Sequence, residues 1–166
     1  MFDAAQRPLA RAGIVLGMGM GGFVDGIVFH QVLQLHAMLS AIRPQNSLVN
    51  VEVNMFWDGI FHVATWVMTA AGIALLWRAV RSPRAVLETR VLIGAMALGW
   101  GLFNVVEGTV DHYLLELHHV VERLGLSVFD HAFLLSGVVL CALGVTLLRP
   151  TSLGASTTQV SNTGNR

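Results

Sequence analysis

The residues able to do chemistry are seven histidines and ten acids, set in a chain of 166 residues with ten arginines and no lysine. Imidazole and carboxylate together suit zinc, iron or copper, whereas a Cu(I) site wants thiolate. Cys141 is the single cysteine, which excludes an intrachain disulfide and any thiolate-rich zinc or iron–sulfur site. Asp25 and Glu107 lie deep within apolar stretches, where a carboxylate costs about 2.5–3.5 kcal/mol on insertion scales and is rarely accidental. They read as metal ligands, as a proton relay, or as partners that orient a histidine; the plainer alternative is a neutral acid bonded to a neighbouring helix. Asp58 and His62 are four apart, on one face of a helix, fit for joint ligation or for an Asp–His bond that fixes the ring tautomer. Asn104, Glu107 and Asp111, at i, i+3 and i+7, form a polar stripe. The candidate metal ligands are therefore Asp25, His30, Asp58, His62, Glu107, Asp111 and His112.

His30 and His112 support a second chemistry. At ~100° per residue each stands about 140° around an α-helix from Asp25 or Glu107, on a face that carries Gly26 and Gly19 or Gly108 and Gly101. Such faces admit a close helix neighbour; they would equally admit a flat porphyrin, with His30 and His112 as axial ligands of haem b. A third reading makes Asp25 and Glu107 the titrating pair of a proton-coupled or metal transporter, which with so few helices would need to form a homo-oligomer. His36, His118, His119 and His131 fall near helix ends, where ligand and interfacial histidine are both open readings, and Asp130 reads equally well as a capping residue. If the chain is an enzyme, a metal would activate water or oxygen; hydrolytic, oxidative and metal-handling roles all stay open.

Composition decides where these residues must sit. The chain is 54% hydrophobic and 12% charged, half the charge of an ordinary soluble domain, and its mean hydropathy is +0.65. Net charge is zero, so nucleic acid has no electrostatic footprint; the partner is the lipid bilayer. Apolar runs at about 13–35, 55–77, 91–113 and 128–148 are each near the ~20 residues that span a bilayer. The first follows Arg7 and Arg11 but lacks a small-residue cleavage site, so it reads as an uncleaved span rather than a signal peptide. Ser127 and Asp130 resemble a capping pair for the fourth helix, Pro150 ends it, and the polar tail 150–166 has the composition of a disordered segment. GxGxxG at 17–22 lies inside a span rather than after a strand, which excludes the dinucleotide reading.

Arginine sets the expected orientation. Arg7, Arg11, Arg78, Arg81, Arg84, Arg90, Arg149 and Arg166 fall outside the bilayer on one side, leaving only Arg43 and Arg123 on the other. By the positive-inside rule the N-terminus, the second linker and the C-terminus are cytoplasmic. All seven histidines then belong to the outer half, the periplasmic side in a bacterium.

The first and third spans align without gaps at an offset of 82, GMGMGGFVDGIVFHQVLQLH over GWGLFNVVEGTVDHYLLELH. Three glycines, an acid and two histidines coincide, in the pattern [DE]-G-x-V-x-H-x-x-L-x-L-H. The second and fourth spans align more weakly at an offset of 72, with Asp58 over Asp130. The expected fold is all-α: an integral-membrane four-helix bundle in a single domain, residues 1–149, built from two repeated two-helix hairpins about an axis along the membrane normal.

GFVDGIVFHQVLQLH, NMFWDGIFH and GWGLFNVVEGTVDHYLLELHHV together resemble a family of small bacterial inner-membrane proteins known as a domain of unknown function. The resemblance covers nearly all of residues 12–148 and implies a four-span protein of the bacterial plasma membrane. It implies no activity, cofactor or catalytic residue. The histidines also resemble, faintly, the boxes of membrane di-iron desaturases, but H-x5-H and H-x5-HH do not match those spacings.

Overall fold

A computed structural model describes residues 4–149, and the expected disordered tail lies outside them. The described chain is helical throughout, without a strand. Helix α1 (Arg7–Val24) opens with Pro8 in its first turn and runs on without a break into a π-helical segment, Asp25–Val32. Helix α2 (Leu48–Val80) is capped by Ser47, whose hydroxyl accepts from the Asn50 amide. Helix α3 (Thr89–Glu107) again runs into a π segment, Gly108–Leu114, and after a single 3-10 turn at Glu122–Leu124 the chain enters α4 (Val128–Leu148). Each of the four is long and apolar enough to cross a bilayer. Helix α2 starts seven residues before its apolar run because hydropathy marks what lipid covers, whereas Asn50, Glu52 and Asn54 continue the helix beyond it.

Helices α1 and α3 form the middle of the molecule. α2 packs only on α1 and α4 only on α3, so the outer helices do not touch each other. The central crossing depends on glycine. A side chain at Gly17 would collide with the backbone carbonyl of Met96, and one at Gly99 with the carbonyl of Ile14. Only an absent Cβ lets the two backbones approach this far. Gly13 and Gly21 extend the same ridge, against Ala95 and against Trp100 and Phe103. Contact by contact, positions 82 apart exchange places across the crossing, as do their outer neighbours: Leu16 lies on Gly72 and Leu98 on Gly144.

Large apolar residues such as Trp66, Ile73, Leu135 and Val139 are exposed around the outside, as expected where the solvent is lipid. At one end of the molecule the Ala5 carbonyl accepts from the Val86 amide, and Arg90 donates to the Arg149 carbonyl. That end carries Arg7, Arg78, Arg81 and Arg84. All the histidines, and every described acid except Glu88, which pairs with Arg90, belong to the other half.

Candidate metal centre

Both inner helices change pitch at the acid. After Asp25 and after Glu107 the backbone adopts i→i−5 bonding, seen in Leu33 N–H donating to Val28 and Leu115 N–H donating to Val110, each at 2.8 Å. In an α-helix residues five apart diverge by about 140°; the wider π turn brings them onto one face, and such turns concentrate at functional sites. As a result His30 Nε2 lies 3.1 Å from Asp25 Oδ2, and His112 Nε2 lies 3.1 Å from Glu107 Oε1.

The chain then turns sharply at Gln34 and Glu116, non-glycine residues held at φ 49° and 48°. The left-handed region costs an ordinary residue roughly 1–2 kcal/mol, repaid by what the turn delivers. Leu35 and Leu117 donate back to Phe29 and Asp111, and the loops cross-link through Ala41 N–H to Leu117 and Glu122 N–H to Leu35. His36 and His118 are thereby folded back beneath the helix ends. His36 Nδ1 donates to the Val120 carbonyl at 3.0 Å and His118 Nδ1 to the Met38 carbonyl at 3.1 Å.

Four imidazoles thus meet in the interior with side chains no more than 1% exposed. The rings of His36 and His118 stack at 4.6 Å, with His30 edge-on to the first at 4.4 Å and His112 edge-on to the second at 5.0 Å. His30 Nδ1 donates to Asp58 Oδ1 at 2.9 Å, which turns its Nε2 inward. His112 Nδ1 lies 3.1 Å from Asp130 Oδ1, off the line of a hydrogen bond. Phe61 stacks on His30, and Phe133 flanks His112.

Two features of this interior are chemically unfinished. His30 Nε2, His36 Nε2, Asp25 Oδ2 and Glu107 Oε2 are buried without a hydrogen-bond partner, a condition rare in folded proteins and a marker of ion or catalytic sites. In addition, His118 donates its Nδ1 proton to a carbonyl, so the Nε2 that sits 2.9 Å from Glu107 Oε1 presents a lone pair to an oxygen. A proton or a metal ion must stand between them. Burial first, then the charges of His118 and His30, pushes His36 down to about 2, so it stays neutral. Burial alone would lower His118 as well, but the hydrogen bond and charge of Glu107 outweigh it and raise that group above its ordinary value.

Two triads of ligand atoms lie within 4.8 Å of one another: His30, His36 and His118, and Glu107, His112 and His118. Among the residues expected from sequence, Asp25, His30, Glu107 and His112 come together, with Asp58 behind His30. His62 and Asp111 do not join them. His62 Nδ1 donates to the backbone carbonyl of Asp58, because that carboxylate is engaged by His30 and by the Met38 amide at 2.8 Å. Asp111 leaves the stripe of Asn104 and Glu107 because the π turn at Gly108 resets the angle, and Asn104 bonds Ser136 instead.

His36 and His118, left open between ligand and interface, are central. The signal was present, since both belong to the motif repeated at 82, but their return path depends on turns that no periodicity reveals. His119 stands beside the site, 3.7 Å from Asp130, and His131 is exposed and bonded to the Ser127 carbonyl. Asp130 does cap α4 in a box with Ser127, while its other oxygen accepts from the Val120 amide. The glycine faces beside His30 and His112 are covered by protein: Gly19 by Thr69, Gly26 by Phe61 and His62, Gly101 by Gly137 and Cys141, and Gly108 by Phe133.

Four apolar helices with a polar interior at one end define an integral membrane protein. The chain belongs to the family described as "Predicted membrane protein (DUF2243)", whose model matches residues 12–151. No curated protein and no solved structure matches it.

Proposed function

We propose that this protein holds a transition metal (zinc, iron or copper) in a histidine–carboxylate centre drawn from Asp25, His30, His36, Glu107, His112 and His118, with Asp58 and Asp130 orienting rings from behind. The observation that carries this reading is the pair of buried Nε2 atoms of His30 and His36, which make no hydrogen bond and face the Asp25 carboxylate at 3.1 and 3.9 Å, where no arginine meets it among the described residues. Imidazoles whose outer N–H is anchored to a carboxylate or carbonyl are the usual form of a metal ligand. Helix packing on the glycine faces favours a bare ion over a porphyrin.

The purified protein should retain such a metal and show no Soret band, the signature of bis-imidazole haem. Ligation requires proton loss, and because Glu107 raises His118 above the ordinary histidine value of ~6.5, protons compete there from above that pH and retention should fall as pH drops toward and through it. A red protein whose haem disappears in His30→Ala would replace this reading with a cytochrome. A protein without metal or haem would make Asp25 and Glu107 a proton path.

The arginine distribution supports a centre near the outer, periplasmic face of a bacterial inner membrane, with both termini cytoplasmic. In a Cys141→Ala background, a cysteine at Ser47 then reacts with an impermeant maleimide in intact cells and one at Ser82 does not; the reverse result inverts the orientation. The matched contacts at offsets 82 and 72 support duplication of a two-helix hairpin as the origin of the paired ligands.

A further inference from the structure

We propose that the centre is dinuclear: two divalent ions lie side by side, one held by Asp25, His30 and His36, the other by Glu107, His112 and His118. This rests on the metal reading above and adds the number of ions and the division of ligands.

Three independent observations lead there. The first is spacing. Donors around one ion at about 2.0–2.2 Å cannot lie more than about 4.4 Å apart, and in a tetrahedral shell they lie about 3.4 Å apart. The buried donors form two overlapping triads rather than one cluster, so together they extend beyond a single shell. The gaps differ between the halves: a single oxygen, Glu107 Oε1, lies 3.1 and 2.9 Å from His112 and His118, whereas Asp25 meets His30 through Oδ2 at 3.1 Å and His36 through Oδ1 at 3.9 Å. His118 appears in both triads; its contact with Glu107 assigns it to the second half, and Asp25, which belongs to neither triad, takes its place beside His30 and His36.

The second is charge. Asp25, Asp58, Glu107 and Asp130 are buried together; the chain has no lysine, and among the described residues no arginine pairs with any of them. Two divalent ions balance four ionised carboxylates without any proton on the acids or rings, while one ion requires two protons to be retained among them. The third is orientation. The Nδ1 atoms of His30, His36 and His118 are fixed outward by Asp58, Val120 and Met38, so each half presents a carboxylate and two Nε2 atoms to its own ion.

Three protein donors leave each tetrahedral ion one open position. The first half faces a cleft of about 380 Å³ lined by His30, His36 and Asp58 together with Gln31, Gln34 and Gln45, wide enough for water or a small ligand to complete that shell.

The test is a count. Detergent-purified protein is stripped with chelator, loaded with Zn(II) alone at pH 7.5, desalted and assayed for zinc per chain. Two tightly held ions per wild-type chain are expected, and one in each of the double variants His30→Ala/His36→Ala and His112→Ala/His118→Ala. Saturation of the wild type at one ion overturns the dinuclear proposal and leaves the metal reading standing; saturation at none overturns both. The wild-type count decides the matter even if a variant misfolds. Two ions in the wild type but none in a double variant of unchanged helix content would overturn the division of ligands.

Discussion

The half of the site built on α1 and the half built on α3 use the same residue types at positions 82 apart, yet they are not equally closed. Glu107, one methylene longer than Asp25, places a single oxygen within 3.1 Å of His112 and 2.9 Å of His118, whereas Asp25 reaches His30 and stays 3.9 Å from His36. Behind the rings the contrast continues. Asp58 opens onto the cleft beside Gln31, with the Met38 amide as its backbone contact. Asp130 is fully buried, bonded to the amides of Val120 and Ser127, and caps α4. One carboxylate joins its histidine to the Met38 loop; the other holds a helix start as well as a loop. The second half is therefore the more tightly tied of the two, and the first is the half that borders the cleft.

The comparison can be broken first where the halves are most alike. Gly17→Leu and Gly99→Leu each drive a side chain into the partner backbone, so both should destabilise near the upper end of the roughly 1–3 kcal/mol of overpacking or beyond. The measurement is the midpoint of thermal unfolding in detergent. Tolerance at one glycine and collapse at the other would show that the crossing is not shared equally.

A smaller effect sharpens the contrast between the acids. Asp58→Ala and Asp130→Ala should each weaken zinc about 10–100-fold in a chelator competition, as loss of a ring-orienting partner does. Asp130→Ala should also lower fold stability by about 1 kcal/mol through the lost helix cap, a contribution Asp58→Ala does not share. His62→Ala and His119→Ala should shift zinc binding by less than about 0.5 kcal/mol. Damage from His62→Ala equal to that from Asp58→Ala would restore a working Asp58–His62 pair.

What could be read from sequence follows from what periodicity measures. Four spans and the Ser127–Asp130 cap were legible, because hydropathy and local spacing report on lipid contact and on neighbours along the chain. The pairing of Asp25 with His30 was not. A fixed 100° per residue separates them, and only the π segment joins them. Asp58 looked like the partner of His62 because four residues is a helical spacing, but its carboxylate serves His30, 28 positions away. His36 and His118 lay in the repeated motif, yet they became central only through the left-handed turns at Gln34 and Glu116. Local pattern finds the ligand types; the turns decide which of them meet.

The change of pitch at Asp25 and Glu107 has a further consequence, in how the protein comes apart. From Gly17 to Asp25 is eight residues, about 12 Å of helix, so the tight crossing and the ligands belong to different stretches of α1 and α3. Proteins open in cooperative units of unequal strength, and those with irregular backbone and loop-borne contacts open first. The crossing is the late-opening unit. The π turns, with the loops that return His36 and His118, form the early one. A sample can therefore scramble its ligands while its helicity remains intact, and far-ultraviolet dichroism is blind to the condition of the centre. Slow amide exchange at Leu33, Leu35, Leu115 and Leu117, whose bonds close those turns, is the signal that reports on it.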